Sequence, residues 1–501
     1  MMADILVPTE IKMSDVFSKQ YSLSPINYKQ VDVKATNKIK VKRLLDPKIP
    51  FIRGTEPGSS AYLKDLESGV KFVRNSCVDK SNNIVQLQKT VFLNETVISY
   101  NNEQLLKDGD IVISTDANIG DSALFHTEDE FEYLLSSGMV KLNIKQEVNK
   151  YYLLAMLKDS YFNSQLESMT PKGSTIRHSG SRLLECAITL PNEDKSWVIQ
   201  IVENLMKNIL FSEKHAQKLQ AHIFSIFDEE LNCLLVEGES TRFSDLFSAK
   251  RIDAGFYSRE VRDFFNKIEK YPSGNKTLTE LGYKTKRGPS LQKRDLGRSI
   301  KTEIFNPSYS LLIYPSDISD YGIIDKTIFL GAAGKVWFLE KNDILFSAEG
   351  NVGKTFAICD NTLRFTTNIH GIIITPIDRN AIDMKNTIFV CTFLNYMKKK
   401  GIMDKLSVGG QGGSFAVQYW DILKFPNLKE EAKQKLKKLY FSDHQIDPFL
   451  FDEEAVNELG VYEVNKLRTL CSSLLKMIID DIKSDKLKDK DYYLSQLQQF
   501  V

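Results

Sequence analysis

Residues 105–125, LLKDGDIVISTDANIGDSALF, and residues 338–358, FLEKNDILFSAEGNVGKTFAI, decide how this chain is organised. Laid together without a gap, they match at Leu106/Leu339, Asp110/Asp343, Ile111/Ile344, Ser114/Ser347, Asn118/Asn351 and Gly120/Gly353. An acidic residue also faces an acidic residue, Asp116 against Glu349. Each copy reads as an acidic turn (Gly109-Asp110, Asn342-Asp343) opening a short apolar strand. A reversal built on Asn-x-Gly follows, since Asn and Gly tolerate positive φ, and then a second apolar strand. A third strand is expected at Met139–Ile144 and at Ile369–Ile374.

The order extends outward from these segments. Upstream, residues 52–57 and 313–318 each read as a strand running into a polar loop. Downstream lie helix-like stretches, 151–166 and 387–397, then polar or Gly-rich loops, 172–181 and 408–414. Each unit closes on an apolar strand that runs out at Pro191-Asn192 or Pro426-Asn427. Shared order of this kind marks a duplication.

A helix is expected after each unit. Val202, Leu205, Ile209, Ser212, Ala216, Leu219, Ile223 and Ile226 alternate three- and four-residue steps, a heptad seam. Val464, Leu467, Cys471, Leu474 and Ile478 repeat it near the C-terminus. The expected fold is α+β: two similar mixed α/β domains separated by long helices that form an antiparallel coiled coil. The boundaries follow as a first domain over 1–193, a spacer helix over 194–236, a second domain over 237–428 and a C-terminal helical region over 429–501. Residues 441–460 read as an insertion.

Composition narrows the classes. The 501 residues carry a formal net charge of +1 with 42% hydrophobic and 26% charged residues, ordinary for a globular protein. A DNA-binding surface would have to come from uneven placement of charge. No apolar run is long enough to span a bilayer, and the start lacks the pattern of a secretory signal. Six scattered cysteines without a Cys-x-x-Cys read as reduced core residues of a cytoplasmic protein.

This order resembles that of the specificity subunits of type I restriction-modification systems. The features that carry the resemblance are the strand-turn segments 107–120 and 340–353, the unit-closing Pro191 and Pro426, and Arg251-Ile252-Asp253-Ala254-Gly255-Phe256-Tyr257, similar to the opening of a target-recognition domain. The equivalent opening near Tyr21–Tyr28 is less typical. The resemblance implies a non-catalytic subunit for phage defence, without a cofactor or metal. Each domain would read one half of a split site in double-stranded DNA, and the helices would set the gap. It also implies docking of adenine methyltransferase subunits, with a motor-nuclease subunit joining for restriction. The helix-pair packing would rest on Val202, Leu205, Ile209, Leu219, Ile223, Val464, Leu467, Leu474 and Ile478.

The clearest basic segment is 276–301, where Lys276, Lys284, Lys286, Arg287, Lys293, Arg294, Arg298 and Lys301 are opposed only by Glu280 and Asp295. Such a stretch suits phosphate contact. Base edges need Arg or Lys for guanine and Asn or Gln for adenine. Candidates are Arg53 and Thr55, then Lys172, Ser174, Thr175, Arg177 and His178 in the first domain. In the second they are Gln411 with Ser414, and Lys286 with Arg287.

Three motifs point elsewhere. Residues 348–355, AEGNVGKT, resemble a phosphate-binding loop, but that loop needs a following helix, and Phe356–Cys359 reads as a strand. Asn306-Pro307-Ser308-Tyr309 resembles an adenine-methyltransferase motif without its second proline or a cofactor-binding turn. Glu128, Asp129, Glu130 and Glu132 could hold a cation, yet repel one another and read as a solvated turn. The alternative to a recognition subunit is a DNA-acting nuclease or nucleotide hydrolase with an unrecognised active site. An adjacent adenine-methyltransferase gene would favour the former.

Overall fold

The computed structural model describes residues 4–6, 8–18, 21, 28, 30–63, 69–94, 96, 98–170, 177–232, 253–332, 334, 336–408, 414–415 and 417–498. It divides into two compact units. The first takes residues 1–213 with 448–451 and 474–494; the second takes 214–447, 452–473 and 495–501.

In the first unit, four strands form an antiparallel sheet: β1 (Phe51–Arg53), β2 (Ile111–Ser114), β3 (Ser122–Leu124) and β4 (Met139–Leu142), in the order β1-β4-β2-β3. The second unit repeats it with β5 (Tyr283–Arg287), β6 (Ile344–Ser347), β7 (Thr355–Ala357) and β8 (Gly371–Pro376), in the order β5-β8-β6-β7. β2 and β6 each run through three apolar residues to a buried serine, because both of their faces are buried. A second four-stranded sheet is duplicated too. It runs Tyr133–Leu135, Val70–Val73, Val91–Leu93, Tyr62–Leu63 in one unit, and Phe365–Thr366, Ser310–Leu312, Phe329–Ala332, Ser299–Thr302 in the other. The first pair is parallel in both. A two-stranded sheet closes each unit: Ala187–Thr189 on Lys38–Lys40, and Lys424–Pro426 on Asn275–Thr277.

The duplicated residues do the same work in each copy. Asp110 Oδ2 accepts from the Lys107 N–H at 2.8 Å, and Asp343 Oδ2 from the Glu340 N–H at 3.0 Å. The next strand is registered by Phe125 N–H to Asp110 O at 2.7 Å and Ile358 N–H to Asp343 O at 2.9 Å. The reversal closes with Gly120 N–H on Ser114 O and Gly353 N–H on Ser347 O, both 2.9 Å.

Two expectations need correction. The reversal does not use positive φ at Asn118 or Asn351. The left-handed residues are Ala117 (59°) with Gly350 (74°), and Gly120 (88°) with Gly353 (101°). The counterpart of residues 52–57 is not 313–318, since β1 corresponds to β5, and Ser310–Leu312 corresponds to Val70–Val73. β5 reads Tyr-Lys-Thr-Lys-Arg because only one neighbour covers this edge strand, so it lacks an apolar run. The basic segment 276–301 is built of Asn275–Thr277, β5, a short helix Lys293–Leu296 and Ser299–Thr302.

Two long helices form, α1 (Trp197–Asn232) and α2 (Val461–Lys483). Every heptad residue named above is buried. Residues 197–213 share a unit with 474–483, and 214–232 share the other with 461–473. The start of one helix therefore keeps company with the end of the other, as an antiparallel pair requires. The insertion finds its place here. Asn208 of α1, fully buried, donates through Nδ2 to the carbonyls of Pro448 (2.9 Å) and Leu450 (3.0 Å). Phe211 packs on Phe451 with ring centroids 4.7 Å apart. No helix among the described residues is long and apolar enough to cross a membrane.

Candidate nucleic-acid interface

In the first unit, the edge strand β1 ends at exposed Arg53. Gly54 follows because a Cβ there would lie 2.2 Å from the Leu135 carbonyl oxygen. The Thr55 N–H donates to Leu135 O at 2.9 Å, and Thr55 O accepts from Ser137 N–H at 2.8 Å. The Asp116 N–H reaches the neighbouring Gly138 carbonyl. The turn Ser136–Gly138 thus ties the Arg53–Thr55 end of β1 to the duplicated reversal. Residues 177 and 178 meet the same reversal: Arg177 O accepts from Ala117 N–H at 3.1 Å, and His178 Nδ1 lies 3.0 Å from Asp116 Oδ1. The structure therefore brings Arg53, Thr55, Arg177 and His178 to one place. Lys172, Ser174 and Thr175 lie outside the described residues.

The second unit builds the same place differently. Lys284, Lys286 and Arg287 are exposed on β5, and Lys286 Nζ sits 4.6 Å from the centroid of the Trp337 ring. Gly288 follows Arg287 because a Cβ there would fall 2.0 Å from the Asn368 carbonyl oxygen. Arg287 donates through Nη1 to Glu349 Oε1 at 3.2 Å and to Ile369 O at 3.4 Å. His370 Nδ1 is 2.5 Å from the other Glu349 oxygen. Ser414 bridges to Glu349 through its backbone, as His178 does to Asp116. Gln411 lies outside the described residues, as do Arg251 and Ile252. Lys293 and Arg294 are exposed on their short helix, with Arg294 beside Asp295.

Sequence reading missed the correspondence of Arg53-Gly54 with Arg287-Gly288, although an Arg-Gly pair recurs at nearly the repeat offset. It also missed Trp337, Ile369 and His370, which surround Arg287 or Lys286 and carry no pattern of their own. Trp337 and Ile369 are large apolar side chains left exposed beside cations.

The other motifs resolve into structure. Lys354 precedes strand β7 rather than a helix, and its Nζ pairs with Asp320 at 2.8 Å. Asp121, at the equivalent position, is buried; burial raises its pKa above the usual carboxylate value despite nearby Lys80 and Lys158. Asn306 Oδ1 accepts from the N–H and hydroxyl of Ser308, making an Asx turn. Asp129 is held by Lys71, Tyr133 and Thr127. Among the described residues no group of three His, Cys, Asp or Glu is placed to hold a metal.

Each unit thus sets a basic side chain against a reversing turn, Arg287 at Glu349 and His178 at Asp116. Residues 45–234 match the family model of the type I restriction modification DNA specificity domain. The resemblance read from the strand-turn segments and unit-closing prolines is thereby supported independently. Similar solved structures include the S subunit of a type I restriction-modification system from M. genitalium, 15% identical, covering 92% of this chain and 98% of that one with a TM-score of 0.40. The HsdS subunit from Thermoanaerobacter tengcongensis is 11% identical, with 90% and 97% covered and a TM-score of 0.27. Among curated proteins, none matches the chain.

Proposed function

We propose that this chain is a non-catalytic recognition subunit that reads a bipartite site in double-stranded DNA and docks adenine methyltransferase subunits, with a motor-nuclease subunit joining for restriction. The observation that carries it is the duplication itself. Two units of one topology each set an arginine at the end of an edge strand beside an acidic reversing turn. Two linked readers need only modest affinity each, because binding by one raises the effective concentration of the other. In this reading α1 and α2, held by their buried heptad seams, supply a rigid spacer and a docking surface. The test is co-purification with an adenine methyltransferase followed by mapping of methylated adenines. A split motif with a fixed gap is the expected result; a continuous motif, or methylation by the chain alone, would refute it.

Arg177→Ala is expected to relax or abolish recognition of one half-site and leave the other intact. The loss should amount to roughly 10-fold or more in discrimination at one base pair, the scale of a lost side-chain-to-base contact. Simultaneous loss of both half-sites, or of neither, would remove Arg177 from the reading surface.

A further inference from the structure

We infer that Arg287 and Glu349 together read a single G·C base pair in the half-site of the second unit. This rests on the recognition function proposed above and names the residues and base pair through which that unit discriminates.

A carboxylate on a phosphate-binding surface repels DNA unless it has a role of its own. Glu349 stands on such a surface, beside Lys284, Lys286 and Arg287. The side chains of Arg287 and Glu349 are 42% and 39% exposed, so both remain open to a ligand on one side. Each is also held on the other. Arg287 is anchored by the Ile369 carbonyl, and its backbone by the tight passage of Gly288 under Asn368. Glu349 is anchored by His370 through one oxygen, by Arg287 through the other, and by the backbone bridge to Ser414. Neither side chain has to be ordered when DNA arrives, which lowers the entropic cost of contact.

The chemistry then selects the ligand. In the major groove a G·C pair presents two acceptors on guanine, N7 and O6, beside one donor on cytosine, the N4 amine. A guanidinium fork matches the two acceptors, and a carboxylate oxygen matches the donor. At an A·T pair the fork finds one acceptor, adenine N7, before the N6 amine, so one of its two hydrogen bonds is lost. The ion pair between Arg287 and Glu349 keeps their spacing at a hydrogen-bond length, the separation that neighbouring groups on one base pair demand. The exposed lysines of β5, Lys286 steadied over the Trp337 ring, then hold the backbone alongside.

The first unit supports the assignment by contrast. Arg53 occupies the register of Arg287, and Asp116 that of Glu349. Asp116 pairs with His178 and its shorter side chain is largely covered, whereas Glu349 reaches into the open. The G·C assignment therefore belongs to the second unit alone.

The experiment maps methylated adenines, then measures methylation of duplexes substituted at each position of the second half-site, using the complete complex with its methyltransferase. Wild-type complex should require one G·C pair in that half-site. Glu349→Gln and Arg287→Lys should each relax that requirement by roughly 10- to 100-fold, the range for a lost bidentate or amine contact, with the first half-site unchanged. Lys293→Ala serves as the comparison: it should weaken binding to all sequences alike and reduce its salt dependence. A second half-site with no required G·C pair, or unchanged discrimination in both variants, overturns the assignment while leaving bipartite recognition standing. Absence of any split motif in the wild-type complex defeats the underlying function instead.

Discussion

Lys483→Ala should lower the stability of the first unit by about 3–5 kcal/mol, the cost of stranding a buried charge. Lys483 Nζ lies 2.9 and 3.1 Å from the two oxygens of Asp159 and 2.8 Å from Asp480 Oδ1. The side chains of Lys483 and Asp159 are only 4% and 6% exposed, so water screens neither. Asp159 also caps the helix Ser160–Met169 through the Tyr161 N–H at 2.8 Å. Without the lysine, Asp480 keeps Lys476, but Asp159 is left as a buried carboxylate facing no cation. Lys483→Met combined with Asp159→Asn removes both charges and retains a capping residue, so it should recover a large part of the loss.

The pH dependence has a definite sign. Burial raises the Asp480 carboxyl, but Lys476 and Lys483 outweigh it and leave the pKa below the usual value. A depressed folded-state pKa contributes stability above the unfolded value near 4, and that contribution disappears as pH falls through the folded value. For Lys483, burial opposes the charge, yet Asp159 and Asp480 raise its pKa, so its contribution is lost only in strong alkali. The difference between wild type and Lys483→Ala should be largest from about pH 5 to 9 and shrink below about pH 4. Denaturant unfolding across pH, with amide exchange over residues 150–169, measures both. A loss below about 1 kcal/mol at neutral pH would show that the cluster does not hold the C-terminal helix in place.

Asp343→Ala should cost the second unit about 2–4 kcal/mol. This carboxylate, 1% exposed, accepts from the Glu340 N–H, from Thr375 Oγ1 at 2.7 Å and from Arg379 Nη2 at 2.8 Å. Its removal orphans a backbone donor and a buried hydroxyl and takes one of its partners from the Arg379 guanidinium at the start of β6. Its counterpart Asp110 is 23% exposed, with Lys141 Nζ at 3.2 Å, so Asp110→Ala should cost less, about 1–2 kcal/mol. Amide exchange in β2 and β6 separates the two effects. Equal losses would contradict the burial argument.

The value of the repeat for function is that it compares the protein with itself. Where the two units agree, as at Asp110/Asp343 and Gly120/Gly353, the shared residue closes a turn. Where they differ, as at Asp116 with His178 against Glu349 with Arg287 and His370, the difference falls at the surface, where all but the largely covered Asp116 are exposed. A recognition subunit whose halves read different sequences needs that division between a common frame and divergent surface.

The sequence by itself determined the duplication, the strand-turn-strand unit and the two heptad helices. Each is a local pattern: matched residues at one offset, apolar strands buried on both faces, and a three-four repeat of apolar positions. It also named Arg177, His178, Lys286 and Arg287 as candidate base contacts; that Arg177, His178 and Arg287 meet the duplicated turn came from the fold. Only the tertiary structure decided that β5 is the partner of β1. An edge strand needs an apolar face on one side alone, and five residues are too few to show that alternation. Only the tertiary structure decided that residues 474–494 complete the first unit, because the attraction of Lys483 for Asp159, 324 positions away in the chain, leaves no periodic trace. The same holds for the insertion, whose place is set by Asn208 donating to the carbonyls of Pro448 and Leu450. A backbone carbonyl accepts whatever its side chain is, so such bonds are invisible until the chain is folded.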